Sequence, residues 1–459
     1  KKTNPEATGR ALVPMGVSLP PRPSAASVAV AVRVYAALTS AAALWVFAWV
    51  DYFLGAARLK RIARRRLAAP RLRRLALDMA GVRSEAYHVP VAEMDRRVAA
   101  VVDAVVSASD GDALAACGAR GEDLGLGVVA VAVLQNRLVR QLIADLLVTA
   151  AASDAGVAMQ DLGEPLVIVG LPRSGTTLLL ELLALDDLRW RPLVNIEAMV
   201  PCAPPGGARK PLRDSMVLMA AGLQTVSDRL KHVHYEAWDG PTECRTALEN
   251  GLNCPLVWFW LFGVLPAVPQ DYKLYETQLK VLQVAAPREA RQWILKDPMH
   301  LANLAGLFAA LPGARVVWLH RKPEAAVASM SSLVAALWRL LYSRRGGAAP
   351  GSNVPFARVL GVLGGLVDSG LAFRAQHPDK PVFDVQSADF FSDPLDAVER
   401  VYAFAGAPSA PAARAKMAAH LAKRGRGEEK QHVYTAADFG LDDAVVAKRF
   451  QAYKAKHGV

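Results

Sequence analysis

The chain has 459 residues, with 54 Lys+Arg against 42 Asp+Glu, a formal net charge of +12, and 53% hydrophobic residues. That length excludes a mini-protein dependent on disulfide staples, and the apolar fraction is too high for a disordered chain and too low for a polytopic transporter. The charge is local: residues 1–75 hold fourteen Lys/Arg against Glu6 and Asp51, and the rest carries 40 of each sign. A neutral body excludes a basic nucleic-acid-binding face as its main feature, because phosphate-backbone affinity needs clustered positive charge.

Residues 1–30 contain Pro5, Pro14, Pro20, Pro21 and Pro23 and read as a flexible lead. Region 31–75 holds an uncharged apolar run at 34–50, bracketed by Arg33 and Asp51, and then nine basic residues in 58–74. The expectation is a single membrane anchor; an interfacial helix with a polybasic foot and a soluble Ala-rich core helix are the other readings. A signal peptide fits poorly, because the run starts late and the basic cluster follows it. The positive-inside count puts the large C-terminal part on the cytosolic side, with the Golgi lumen as the alternative. No Asn-x-Ser/Thr sequon occurs, and Cys117, Cys202, Cys244 and Cys254 have no zinc spacing.

Residues 76–160 read as a helical lead, with apolar spacing in MDRRVAAVVDAVV and LGVVAVAVLQNRLVRQLIADLL. The body, 161–459, alternates apolar strands with helices: PLVIVG before LLLELLAL, WIL before HLANLAGLFAAL, ARVVWLH before EAAVASMSSLVAALWRLL, and PVFDVQ before DPLDAVERVYAFAG. This pattern predicts an α/β fold, a mostly parallel sheet with helices on both faces. Residues 343–355 read as a surface loop.

The sharpest motif is Gly170-Leu171-Pro172-Arg173-Ser174-Gly175-Thr176-Thr177, between strand and helix. Two glycines let backbone N–H groups curl around an anion at a helix N-terminus, and hydroxyls add donors. The bland alternative is an ordinary strand–helix turn. A nucleotide triphosphatase needs GxxxxGK[ST], but Thr176 stands at the Lys position and ARVVWLH ends without a magnesium-holding Asp.

GLPRSGTT resembles the 5′-phosphosulfate loop of sulfotransferases that use 3′-phosphoadenosine-5′-phosphosulfate (PAPS), closest to the bacterial-type and tyrosylprotein-type branches. His320-Arg321-Lys322-Pro323 with Ser329 resembles the family's 3′-phosphate site, Leu295-Lys296-Asp297-Pro298 its KDP segment, and ADFFSDPLDAVERVYAFAG its closing strand–helix unit. These matches run in order from about Asn136 to about Tyr453. The resemblance implies a P-loop-like fold and transfer of a sulfuryl group from PAPS to a hydroxyl or amine of a small molecule, lipid or glycan, without a metal. It implies nucleotide binding by Arg173, Ser174, Gly175, Thr176, Thr177, Arg321 and Ser329, with Arg173 and Lys296 as catalytic cations. A P-loop phosphotransferase and a non-catalytic membrane-tethered nucleotide-binding module are the competing functions.

An acceptor must lose a proton, so a base is needed. By the resemblance, Glu197 takes that role at the end of a second strand within 189–199; His234 and Glu243, in HVHYEAWDGPTECRTAL, are the other candidates. Trp258, Phe259, Trp260 and Phe262 either line an apolar acceptor pocket or pack a helix onto the sheet. Lys430 either closes over the nucleotide or belongs to a solvated charge run. The expected partners are PAPS, an acceptor, a membrane contacted through 34–50 and a second copy of the chain, and no nucleic acid.

Overall fold

A computed structural model of the chain describes residues 56–82, 85–108, 124–126, 128–201, 240–285, 291–344, 356–406, 408–424, 435 and 437–459. The lead 1–30, the apolar run 34–50, His234 and Lys430 lie outside these residues.

Five strands form the central sheet: β2 (Leu166–Gly170), β3 (Trp190–Pro192), β4 (Gln292–Lys296), β5 (Arg315–His320) and β7 (Val382–Gln386). Their order is β3-β4-β2-β5-β7, and every pairing is parallel. All of β2 is buried, as a wholly apolar run between two helical layers requires. Alternate residues feed two cores. Val167, Val169, Trp293, Leu295, Val316 and Trp318 face one, and Leu166, Ile168, Trp190, Ile294, Val317 and Leu319 the other. The second core is closed by α5 (Thr176–Ala184) and by the 394–404 helix. The chain leaves β2 toward β3 and β4 on one side and later fills β5 and β7 on the other. The crevice beyond the carboxyl end of β2 is therefore the switch point where α/β folds bind ligands.

The lead helices α1 (Ala56–Arg66), α2 (Ala69–Ala80), α3 (Val91–Ala108) and α4 (Val128–Ala151) pack into the first core, through Ala63, Leu67, Leu72, Val98, Val101, Leu134 and Leu138. Pro70 fits the opening turn of α2, and Gly81, with φ 65°, supplies the left-handed residue that ends it.

Three local readings are revised or decided. The segment 189–199 is strand only over Trp190–Pro192, because Pro192 has no N–H to continue a ladder, and Glu197 sits instead in a short helix, α6 (Asn195–Met199). Within the expected loop 343–355, β6 (Tyr342–Arg344) pairs antiparallel with β1 (Leu124–Leu126). Trp258, Phe259, Trp260 and Phe262 are all buried on the 255–262 helix and pack in the core, with Trp258 stacked on Phe262 at 6.2 Å. The 356–376 helix is long and apolar enough to cross a membrane. Here, however, Phe373 stacks on Phe308 at 5.4 Å and Gly370 abuts Trp318 and Leu301, contacts of a core helix, while the exposed Asp368 pairs with Arg449 at 2.7 Å.

Polar groups also tie lead to body. Glu249, 2% exposed, accepts from both Arg137 and Arg140 of α4, and Arg140 also donates to Asn250 Oδ1 at 2.7 Å. Removing the shared carboxylate strands a buried cation. Glu249→Leu is expected to lower stability by about 3–5 kcal/mol, read as a lowered denaturant midpoint, with Arg137→Ala costing less because Arg140 keeps its partner.

Candidate active site

The loop after β2 is shaped by what it touches. Gly170 has φ 153°, and a Cβ there would lie 2.6 Å from the Leu319 carbonyl and 2.8 Å from Ser174 Oγ. Gly175, with φ 97°, precedes α5, and a Cβ there would press on the Phe390 ring at 2.8 Å. Ser174 is fully buried. Its hydroxyl donates to the Leu171 carbonyl at 2.6 Å, and its carbonyl accepts from Ser387 Oγ at 2.7 Å. The Ser174 side chain thus holds the turn. Arg173 takes φ 69°, a left-handed conformation unusual for a side-chain-bearing residue and one that concentrates at functional loops. It is exposed, as is Thr177, while Thr176 is buried; the first amides of α5 have no side-chain cap.

Arg321 follows β5 directly, and its guanidinium donates to the carbonyl of Arg173. Burial, and then the charge of Arg173, hold Arg321 below its ordinary pKa. Among the described residues, no carboxylate lies within ion-pair distance of either arginine. Two neighbouring cations without a counter-ion make a place for an anion. Ser329 lies on α7 (Pro323–Leu341), eight residues after Arg321 and half-buried.

A directed hydrogen-bond chain braces Arg321 from behind. The Asp384 carboxylate accepts from Arg374 Nη1 and from His320 Nε2, each at 2.7 Å. The ring proton is therefore on Nε2, and Nδ1 is left to accept the Tyr453 hydroxyl proton at 3.2 Å. Tyr453 oxygen in turn accepts the Arg321 N–H at 3.3 Å. Although burial opposes it, the hydrogen bonds from His320 and Arg374 bring the Asp384 carboxyl down to about 2. His457 stacks on His320 at 3.7 Å, and burial, then His320, push it down to about 4. Residues His320, Asp384 and His457 form a candidate metal-binding group, but imidazole lone pairs lie in the ring plane and cannot converge from two stacked rings.

Lys296 ends β4 and is 2% exposed. Its Nζ donates to Glu243 Oε1 at 2.6 Å and to Thr177 Oγ1 at 3.2 Å, joining the KDP segment to the first turn of α5. Glu243 Oε2 also meets Arg245 at 3.1 Å. Backbone bonds lay the 240–244 stretch along residues 193–195 (Asn195 N–H to Gly240, Thr242 N–H to Leu193) and tie its end to β4 (Cys244 N–H to Lys296). Asp297 accepts from the Met299 and Arg245 amides at 2.8 and 2.5 Å, and burial and the Glu243 charge push it up to about 7. Its two oxygens are thereby committed to shaping the turn.

Glu197 is placed differently. It pairs with Arg191 at 3.2 Å, whose guanidinium lies 4.0 Å over the Trp293 ring. Trp293 faces the core opposite the α5 face toward which Lys296 reaches. The structure therefore brings Glu243, Lys296 and Thr177 together, with Arg173 and Arg321 adjacent to each other, and leaves Glu197 in a separate ion pair. His234 is not among the described residues. Sequence reading missed Tyr453 and the Glu243–Lys296 pair. Partners 132 and 53 residues apart leave no local signal.

A family model described as "Sulfotransferase family" matches residues 165–411. The crystal structure of sulfotransferase STF9 from Mycobacterium avium is similar at 22% identity and TM-score 0.66, covering 85% of this chain and 96% of that one. Sulfotransferase STF1 from Mycobacterium tuberculosis H37Rv is similar at 23% identity and TM-score 0.63, covering 83% and 98%. No curated protein matches.

The brace has a pH signature. His457 has a folded pKa of about 4 against 6.5 when free, so between those values the unfolded chain binds more protons and stability falls as pH drops. His457→Gln is expected to flatten the loss of melting temperature across that window relative to the parent, in thermal unfolding followed from pH 7 downward.

Proposed function

Because the chain belongs to the sulfotransferase family, we propose that it moves a sulfuryl group from PAPS to a hydroxyl or amine of an acceptor, without a metal. The residues fit such a donor. Adjacent Arg173 and Arg321 have no described carboxylate partner, and the uncapped amides of α5 offer donors to a second anionic group. PAPS supplies a sulfuryl group joined to a good phosphate leaving group.

In this reading the loop amides and Arg173 hold the 5′-phosphate and sulfuryl oxygens, and Arg321 with Ser329 holds the 3′-phosphate. Glu243 takes the acceptor's proton as the acceptor oxygen or nitrogen bonds to sulfur and the sulfur–phosphate oxygen bond breaks. Glu243 and Lys296 form one buried pair, so protonating the carboxylate frees the ammonium to neutralise the departing phosphate oxygen. That pair, meeting Thr177 at the loop, is the observation that carries the proposal and favours Glu243 over Glu197 as base. The apolar run 34–50 is proposed to attach the enzyme to a membrane, with the catalytic part on the cytosolic side.

Calorimetry with 3′-phosphoadenosine-5′-phosphate, free of magnesium, tests the site. The parent should bind, and Arg321→Ala should weaken binding by about 2 kcal/mol, the scale of a lost charged hydrogen bond. No binding by folded protein would overturn the proposal. Glu243→Gln should lower turnover with hydroxyl or amine acceptors by roughly a hundredfold or more, whereas Glu197→Gln should mainly lower stability.

A further inference from the structure

The lead helices carry charge that sulfuryl transfer leaves unused. α1 and α2 bury Ala63, Leu67, Leu72, Ala76 and Ala80 in the body's core, which uses up their apolar stripe. Exposed around that stripe are Arg61, Arg64, Arg65, Arg66, Arg71 and Arg74. Among the described residues, no carboxylate is within ion-pair distance of any of the six. Arg73, by contrast, is held by Glu85 and by Asp95, the latter at 2.6 Å. Asp78 is the one exposed acid on these two helices. A helix C-terminus favours basic residues, which accounts for cations in the last turn of α1, where Arg64, Arg65 and Arg66 lie. It does not account for Arg61, Arg71 and Arg74, which lie outside that turn.

We propose that this arginine face docks the enzyme on an anionic lipid surface. Membrane rather than nucleic acid is favoured because the uncharged run 34–50 closely precedes α1, and because the neutral remainder of the chain offers no further track for a phosphate backbone. The choice of membrane rests on the attachment proposed above; the cationic face itself does not. Since the apolar stripe is already buried in protein, the contact is electrostatic and lies at the headgroups. Since the helices pack into the same core as the body, the arginines are carried on the folded unit that holds the catalytic site. Such docking fixes the orientation of the enzyme on the bilayer and suits an acceptor displayed among lipid headgroups.

Co-sedimentation of the full chain with phosphatidylcholine vesicles, with and without phosphatidylglycerol, tests this. Parent protein should partition more strongly to the anionic vesicles, and added salt should erase the difference. A variant combining Arg61→Ser, Arg64→Ser, Arg71→Ser and Arg74→Ser should lose at least about a hundredfold of its anionic-vesicle partitioning, at roughly fivefold per arginine. Its partitioning to neutral vesicles and its melting temperature should stay unchanged. Equal binding of parent to both vesicle types, unaffected by the substitutions, would overturn the docking face while leaving attachment through 34–50 standing. Binding to anionic vesicles alone would support the face and remove the anchor. Binding to an oligonucleotide but not to anionic vesicles would overturn the proposal in favour of nucleic acid.

Discussion

Arg173 and Arg321 lie side by side at the carboxyl edge of the sheet, one guanidinium donating to the other's carbonyl. Like charges repel, so this arrangement must be held by the surrounding fold. The left-handed backbone at Arg173, the glycines pressed against Leu319 and Phe390, and the Ser174 and Ser387 hydroxyls all fix the loop that carries the first cation. The Asp384–His320–Tyr453 chain fixes the backbone that carries the second. In the proposed reading, an arriving anion relieves this repulsion.

Lys296 shows the complementary arrangement. Its charge is not left open but held by Glu243 inside the protein, where a lone ammonium would be costly. Two kinds of cation result: arginines at the rim with no carboxylate partner among the described residues, and a lysine held by a glutamate. The first kind suits binding and the second suits a step in which charge moves.

Much of the sheet was legible in the sequence because buried parallel strands are continuous apolar runs. PLVIVG, ARVVWLH and PVFDVQ stood out between helices of clear periodicity, and strand, loop and helix around Arg173 followed from one motif. The second strand was harder. Trp190–Pro192 is too short to have a pattern, and the turn into α6 moved Glu197 away from the strand end. Its partner Arg191 lies six residues earlier, but a cation–carboxylate pair at that spacing means nothing until the backbone direction is known. Glu243 was legible as a candidate base but not as the partner of Lys296. Its pairing with Lys296 depends on how the 240–244 stretch is pinned between residues 193–195 and the end of β4, which hydrophobic patterning does not encode. The aromatic run at 258–262 illustrates the reverse: composition suggested either a pocket or a core, and complete burial decided for packing.

The brace behind Arg321 also bears on the order of assembly. Tyr453 belongs to the 451–457 helix, far downstream of the strands that it stabilises. During synthesis the sheet, the loop and both arginines emerge long before this tyrosine does. A nascent chain can therefore complete its parallel sheet while the backbone N–H of Arg321 still lacks the Tyr453 oxygen that accepts it.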